Sequence, residues 1–320
     1  MACYLVTGGA GFIGSHLVEA LIADGHRVRV LDDLSSGKRE NLPAKVEFIK
    51  ADITDPDVIG AAVDRIDGCF HLAAIASVER ANRDWMRTHQ VNLTGTINLF
   101  DAARRARSAN GLPVVYASSA AVYGNAGAQP IPEETCALPI SAYGADKRGC
   151  EMHARAAGLA FGLRTAGLRF FNIYGPRQDA HSPYSGVIAI FLDRLSRGDP
   201  IEIFGDGKQV RDFTYVADAV SALKQAMSAA SAAAPLFNIC TGTGVTVRQL
   251  AQLIADLCQA ELVARSRPAR RADIPISVGD ARRAAEKLGF VARTSLAEGL
   301  ALTLEAVAGR RPLEAPALAG

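Results

Sequence analysis

Eight residues, Thr7-Gly8-Gly9-Ala10-Gly11-Phe12-Ile13-Gly14, stand between an apolar run, Cys3-Tyr4-Leu5-Val6, and a helical pattern, Ser15-His16-Leu17-Val18-Glu19-Ala20-Leu21-Ile22. A strand that feeds a glycine-rich turn into a helix N-terminus presents unpaired backbone N–H groups and the positive end of the helix dipole, and a pyrophosphate suits both. Each glycine meets its own steric demand: Gly8 the tight turn, Gly11 the approach to the phosphates, Gly14 the close packing of helix on strand. A second apolar run, Arg27-Val28-Arg29-Val30-Leu31, ends in Asp32. That is about 20 residues beyond the glycines, where a carboxylate accepts hydrogen bonds from a ribose diol and repels a 2′-phosphate. The spacing predicts a dinucleotide site that takes NAD rather than NADP.

Apolar runs then alternate with helical patterns. Val46 to Lys50 reads as a short strand, Cys69 to Leu72 as a buried strand end and Leu112 to Ala117 as a longer buried strand, with helices over Thr94 to Ala109 and Ala142 to Leu159. This rhythm predicts an α/β fold: a Rossmann-type, doubly wound parallel sheet with a smaller C-terminal substrate-binding lobe. Beyond about residue 165, Pro176, Pro183, Gly186, Gly198, Pro200, Gly205 and Gly207 break the chain into short segments, as expected of a lobe laid over the cofactor cleft. The expected division is a dinucleotide-binding domain over 1–174, with 208–240 packing back onto it, a lobe over 175–310 and a mobile tail over 311–320. The alanine-rich stretch Ser228 to Ala234 reads as a helix end and surface loop.

The chain is 320 residues long, with 35 Lys and Arg against 33 Asp and Glu. That length can bury a sizeable core, and the balanced charge predicts no nucleic-acid partner. The basic stretch Arg265 to Arg271 is the one exception, a solvated loop or a phosphate contact. Six cysteines are scattered without a Cys-x-x-Cys pair or a histidine at ligand spacing, which fits a reducing cytosol and predicts no metal site. No secretory pattern opens the sequence and no run approaches the roughly 20 apolar residues of a bilayer span. The expectation is a soluble, cytoplasmic protein.

Tyr143 and Lys147 lie four residues apart, on one face of a helix beginning near Ser141 and just after a strand ending in Ser118-Ser119. A nearby ammonium and a positively charged nicotinamide ring both favour the phenolate, which equips Tyr143 to act as a base. Together with the glycine turn, three further segments appear in order: Ser118-Ser119-Ala120-Ala121-Val122-Tyr123-Gly124, Arg169 to Arg177 (RFFNIYGPR) and Phe204 to Phe213 (FGDGKQVRDF). In this set the chain resembles the extended short-chain dehydrogenase/reductase superfamily and, within it, the UDP-hexose 4-epimerases, from the first strand to about residue 300.

The resemblance implies a mechanism. Tyr143 takes the proton from the sugar 4-hydroxyl as C4 passes hydride to NAD⁺, Ser119 bonds that oxygen, and Lys147 holds the nicotinamide ribose and favours the phenolate. The 4-keto sugar then swings about its link to the diphosphate and takes the hydride back on its other face. The expected cofactor contacts are Gly8, Gly11, Phe12, Ile13, Gly14, Asp32, Ser36, Asp52, Ile53, Leu72, Ala73, Ala74, Asn92, Tyr143 and Lys147, with Asp52 near the adenine. For the substrate, the resemblance implies Ser119, Asn172 at the diphosphate, Phe204 against uracil, Arg211 and Arg270 clamping the phosphates, and Ser277 beside C2 of the hexose. A tyrosine at the Ser277 position fills that space in members restricted to plain hexoses, so serine predicts a pocket that also admits a 2-acetamido group. Homologous enzymes pair through the helices at 94–109 and 142–159, which implies a homodimer. His16 and His71 read as residues satisfying local hydrogen bonds, and Arg80, Arg83, Trp85 and Arg87 as a rim segment.

Three other readings stay open at this level. Dehydratases and decarboxylases of the superfamily carry an Asp-Glu pair or a Glu just ahead of Val-Tyr-Gly, where this chain has Ala120 and Ala121, which disfavours elimination. A UDP-uronic acid 4-epimerase remains compatible with the arginine-rich approach. A catalytically inactive NAD-binding sensor is the reading of another class, opposed by the presence of Ser119, Tyr143 and Lys147.

Overall fold

The computed structural model describes all residues except 107–110, 128, 181–185, 270–272 and 310–320. The expected tail, Arg270, Arg271 and the end of the helix expected over 94–109 therefore lie outside the described residues.

The first half delivers strands and helices in alternation. Strands β1 (Cys3–Thr7), β2 (Arg27–Asp32), β3 (Glu47–Lys50), β4 (Gly68–His71), β5 (Val114–Ser119) and β6 (Thr165–Phe170) are joined by helices α1 (Phe12–Ala23), α2 (Pro56–Ala62), α3 (Val78–Arg83), α4 (Trp85–His89), α5 (Gly95–Arg105) and α6 (Ala142–Phe161). With a later strand, β10 (Leu236–Ile239), they form one seven-stranded, wholly parallel sheet in the order β10-β6-β5-β4-β1-β2-β3. The order reverses at β1, and a ligand cleft lies at such a switch point, beyond the carboxyl ends of the strands. Both faces are covered, as buried parallel strands require. Leu17, Val18 and Leu21 of α1 pack on one face and Ile59, Leu99, Phe100 and Ala154 of α2, α5 and α6 on the other.

After β6 the chain crosses into a lobe within two residues, at β7 (Asn172–Tyr174). The lobe contains α7 (Val187–Leu195), β8 (Ile201–Phe204), β9 (Val210–Tyr215), β11 (Gly244–Thr246), α9 (Val247–Cys258), β12 (Ala264–Arg267), β13 (Ile276–Ser277) and α11 (Leu296–Ala308). Strand β9 is its hub, paired with β7, β11 and β13, while β8 and β12 form a separate parallel pair. Between these pieces the chain returns to the sheet twice: α8 (Val216–Ala229) leads into β10, and α10 (Arg282–Leu288) packs on both. The second return falls inside the stretch expected to belong to the lobe. Its Ala284 and the following Phe290 sit in the same apolar core as α1 and α8, and burial of those side chains decides the placement.

Two local expectations are revised. The helix expected from Thr94 begins at Gly95 and is preceded by a π-helical turn, Gln90–Thr94. Gly95 lies so close to α2's approach that a Cβ there would come within 2.7 Å of the Ile53 side chain. The loop expected at the surface after Ser228 is instead docked: Ser231 and Thr165 exchange backbone bonds of 3.0 and 3.2 Å, and Ala230 and Ala234 are buried.

Candidate active site

The turn after β1 is held by contacts only glycine allows. Gly8 has φ +69°, and a Cβ on it would lie 2.6 Å from the Ala73 nitrogen; a Cβ on Gly14 would lie 2.1 Å from the Gly8 carbonyl oxygen. Gly11, by contrast, would meet only the Gly8 carbonyl at 3.2 Å, so its open side is turned to the cleft. Gly11 is also the N-cap of α1 and supplies no side-chain cap. The first N–H groups of α1 thus have no acceptor within the helix, the arrangement a pyrophosphate satisfies.

A cavity of about 400 Å³ runs from this turn along the carboxyl ends of β1, β2, β4, β5 and β6. Of the residues expected to hold the cofactor, Gly8, Gly11, Phe12, Ile13, Gly14, Asp32, Ser36, Ile53, Leu72, Ala73, Ala74, Tyr143 and Lys147 line it. At its β2 end, Asp32 Oδ2 accepts the Ala10 N–H at 2.9 Å and Oδ1 the Leu34 N–H at 2.8 Å. Each oxygen keeps a lone pair for a ribose hydroxyl. Burial pushes this carboxyl above the usual carboxylate range, against the two backbone donors. Donors from a ribose diol would relieve that cost, and a 2′-phosphate would raise it. The glycine cradle, the uncapped helix and the Asp32 acceptors together fit NAD.

Asp52 and Asn92 stand behind the wall. Asp52 pairs with Arg87, which itself lines the cavity, and accepts the Thr54 N–H at 2.9 Å. Burial raises its carboxyl, but Arg87 and Thr54 outweigh that and hold it below the usual range. Asn92, in the π-helical turn, accepts the Ile75 N–H at 2.8 Å and donates to the Ile75 carbonyl at 3.2 Å. It is 1 % exposed and shapes the cleft through Ile75 rather than lining it.

The reacting groups converge at the β5 end. Ser119 closes β5 and caps the 3-10 turn Ala120–Tyr123, its Oγ accepting the Ala121 N–H at 3.1 Å. Ser141 caps α6 in the same way, through the Gly144 N–H at 3.1 Å, which fixes the first turn of the helix carrying Tyr143. One turn on, Lys147 is buried, donates to the Ala117 carbonyl at 2.8 Å and stands 5.9 Å from the Tyr143 ring centre. A phenol, an ammonium and a hydroxyl thus line the same cavity as the glycine turn. This arrangement can move a proton to or from a bound hydroxyl.

The next turn of the same face carries a residue that motif reading passed over. Glu151 is bonded by Arg169 Nε and Nη2, both at 2.8 Å, and by the Ser118 hydroxyl at 2.6 Å, with Arg148 beside it. Arg169 also donates to the Tyr123 hydroxyl at 2.8 Å and the Glu133 carbonyl at 3.0 Å, and Tyr123 donates to Asn238 of β10 at 2.7 Å. The signal was legible: Tyr143, Lys147 and Glu151 continue a four-residue spacing. Arg80 and Phe171 line the cavity too, with Gln178, where only a rim had been expected for the first.

Of the residues expected at the substrate, Ser119 lines this cavity, whereas Asn172, Arg211 and Ser277 gather around β9 and are not part of its lining. Asn172 of β7 donates to the Asp212 carbonyl at 2.9 Å, and Ser277 of β13 is the register partner of Arg211. The Arg211 guanidinium is oriented by Asp273 at 2.7 Å. Phe204 ends β8, where its carbonyl accepts from Gln209 at 2.7 Å. Asp212, fully buried, ties β9 to the crossing after β10 by accepting the Thr241 N–H and hydroxyl at 2.8 and 2.7 Å and the Gly242 N–H at 2.9 Å.

Removing one partner of the Glu151–Arg169 pair strands a buried charge. We expect Arg169→Met to lower unfolding free energy by about 3–5 kcal/mol in urea titration. Burial raises the Glu151 carboxyl, but Arg169, Ser118 and Arg148 outweigh it, so the net shift is downward. The stabilisation is therefore complete above the unfolded value of about 4.3 and lost only as pH falls through the lower folded value. The stability gap between wild type and Glu151→Gln should persist at mildly acidic pH and close below it; a gap that closes above pH ~5 would contradict this.

The model of the NAD-dependent epimerase/dehydratase family matches residues 4–240. A UDP-glucose 4-epimerase from Mycolicibacterium smegmatis is 41 % identical over 308 residues, 94 % of this chain and 97 % of that protein. Among solved structures, the UDP-glucose 4-epimerase of Thermotoga maritima with UDP-glucose superposes with a TM-score of 0.91 at 38 % identity, covering 96 % of this chain and 99 % of that one. The UDP-N-acetylglucosamine 4-epimerase of Methanobrevibacter ruminantium, in complex with UDP-N-acetylmuramic acid, also gives 0.91, at 35 % identity over 97 % and 99 %. With the glycine cradle, the Asp32 acceptors and the Ser119–Tyr143–Lys147 wall in place, the chain belongs to the NAD-dependent epimerase/dehydratase family.

Proposed function

We propose that the protein inverts C4 of a UDP-hexose through a 4-keto intermediate. The carrying observation is that Ser119, Tyr143 and Lys147 share one cavity, while the carboxylates that line it among the described residues, Asp32 and Asp33, stand at its β2 end rather than on the turn after Ser119. Ala120 and Ala121 occupy the turn after Ser119, and Glu133 and Glu151, the carboxylates of the adjoining network, are committed to Asn238 and Arg169. Elimination needs an acid or base at a neighbouring carbon, and none is available from this turn or network. When bound, NAD supplies a reversible hydride acceptor beside C4. The chain's own part is proton handling: Tyr143 accepts the 4-hydroxyl proton and returns it, Ser119 bonds the same oxygen, and Lys147, pinned by the Ala117 carbonyl, keeps a positive charge beside the phenol. Arg211, held by Asp273, would bind the diphosphate. Tyr143→Phe deletes only the hydroxyl that moves the proton, so turnover of UDP-glucose and UDP-galactose should fall about 10²–10⁴-fold with nucleotide-sugar binding retained. Retention of half the turnover would refute the assignment.

Ser277, small, buried and paired in register with Arg211, supports a pocket that accepts a 2-acetamido sugar as well as plain hexoses. Rates for the UDP-glucose, UDP-N-acetylglucosamine and UDP-glucuronic acid pairs should show activity on the first two in the wild type. Ser277→Tyr should suppress the N-acetylated pair and spare the plain hexoses; equal losses, or a preference for the uronic acid, would reject the gate.

Met152 and Leu159, seven residues apart and so on one face of α6, are 61 % and 78 % exposed. Apolar side chains at this spacing on a surface helix support a homodimer through α5 and α6. Sedimentation should give a dimer for the wild type and a monomer for Met152→Arg with Leu159→Arg; a wild-type monomer would end the proposal.

A further inference from the structure

His71, the last residue of β4, is 3 % exposed and has no role in the chemistry above, yet both ring nitrogens are bonded. Nδ1 lies 2.7 Å from the Thr7 hydroxyl and Nε2 2.9 Å from the Thr96 hydroxyl. The ends of this row fix its protons. Thr96 donates its single hydroxyl proton to the Asn92 carbonyl at 2.6 Å, so its oxygen is an acceptor toward Nε2–H. Nδ1 is then left to accept the Thr7 O–H, and the Thr7 oxygen accepts the Ala73 N–H at 3.3 Å. Burial, reinforced by the Lys147 charge, pushes the ring down to about 3 and keeps it neutral.

Every donor in the row, from the Ala73 N–H to the Thr96 hydroxyl, points toward Asn92, the arrangement in which hydrogen bonds strengthen one another. Asn92 then returns to the same wall by its two bonds to Ile75. Ala73 and Ile75, both on the cavity, are thereby held from the two ends of one chain of bonds that runs behind them through α5 and the π-helical turn. On its other side the wall packs on Gly8, where a Cβ would lie 2.6 Å from the Ala73 nitrogen.

We propose that His71, as the Nε2–H tautomer, is a positioning residue for the NAD cleft: it locks the Leu72–Ile75 wall to the glycine turn through Thr7 and to α5 through Thr96. A residue that only stabilises the sheet would alter unfolding and leave cofactor affinity alone. Thr96→Val removes the hydroxyl that orients Nε2 while keeping the side chain's shape. His71→Asn keeps an acceptor for Thr7 but does not reach Thr96, and His71→Leu loses both. NAD is stripped from each protein and its rebinding measured by calorimetry. Thr96→Val and His71→Asn should each raise the Kd for NAD about tenfold, and His71→Leu further, with kcat changing less than the affinity. Two-bond ¹H–¹⁵N spectra of the wild type should show His71 protonated at Nε2 alone. Wild-type NAD affinity in Thr96→Val and His71→Asn, whatever happens to their unfolding midpoints, would overturn the proposal, as would a proton found on Nδ1. Should His71→Leu fail to fold, the other two variants and the spectrum decide the matter.

Discussion

A buried ion pair has to be surrounded by donors and acceptors at every free position, because removing two charges from water costs more than their mutual attraction returns unless the geometry is complete. Glu151 and Arg169 meet that requirement by recruiting Ser118 from β5, Tyr123 from the 3-10 turn, the Glu133 carbonyl from the loop before α6 and, through Tyr123, Asn238 from β10. The pair, which itself joins α6 to β6, is therefore a junction with four further segments. It sets the height at which α6 crosses the end of β5, and with that height the separation of Ser119 from Tyr143 and Lys147.

The same economy of placement governs the cofactor side. Ligand-facing groups come from the ends of parallel strands, and each end is steadied by something behind it: Gly8 against Ala73, Asp32 by two backbone donors, the Leu72–Ile75 wall by Thr7, His71 and Asn92. Arg87 faces the cavity but is anchored on Asp52. In the lobe, Asp212 fastens β9 to the second crossing from sheet to lobe, tying that strand to the segment that leaves the seventh sheet strand.

Much of this was legible in the residues because the signals are local. The glycine spacing, the acid ending β2, the serine closing β5 and the four-residue step from Tyr143 to Lys147 are each fixed by backbone sterics or helix geometry within a few residues. Asn92 was legible as a residue of the cofactor region but not as a bracket holding Ile75, since its position depends on a π-helical turn that no periodicity announces. Asp52 was legible as an acid beyond a strand, but not its commitment to Arg87, 35 residues away.

What the sequence determined by itself, then, is the fold class, the cofactor and the four-residue step that puts Tyr143 and Lys147 on one helix face, because these follow from short patterns whose physics is complete within a turn or a strand. Only the tertiary structure decided that α10 belongs to the sheet, that Ser277 lies beside Arg211, that Glu151 and Arg169 neutralise each other and that His71 is bonded at both nitrogens. Those outcomes depend on which buried groups find partners across 18 or more residues of chain, a matter of packing that no local pattern encodes.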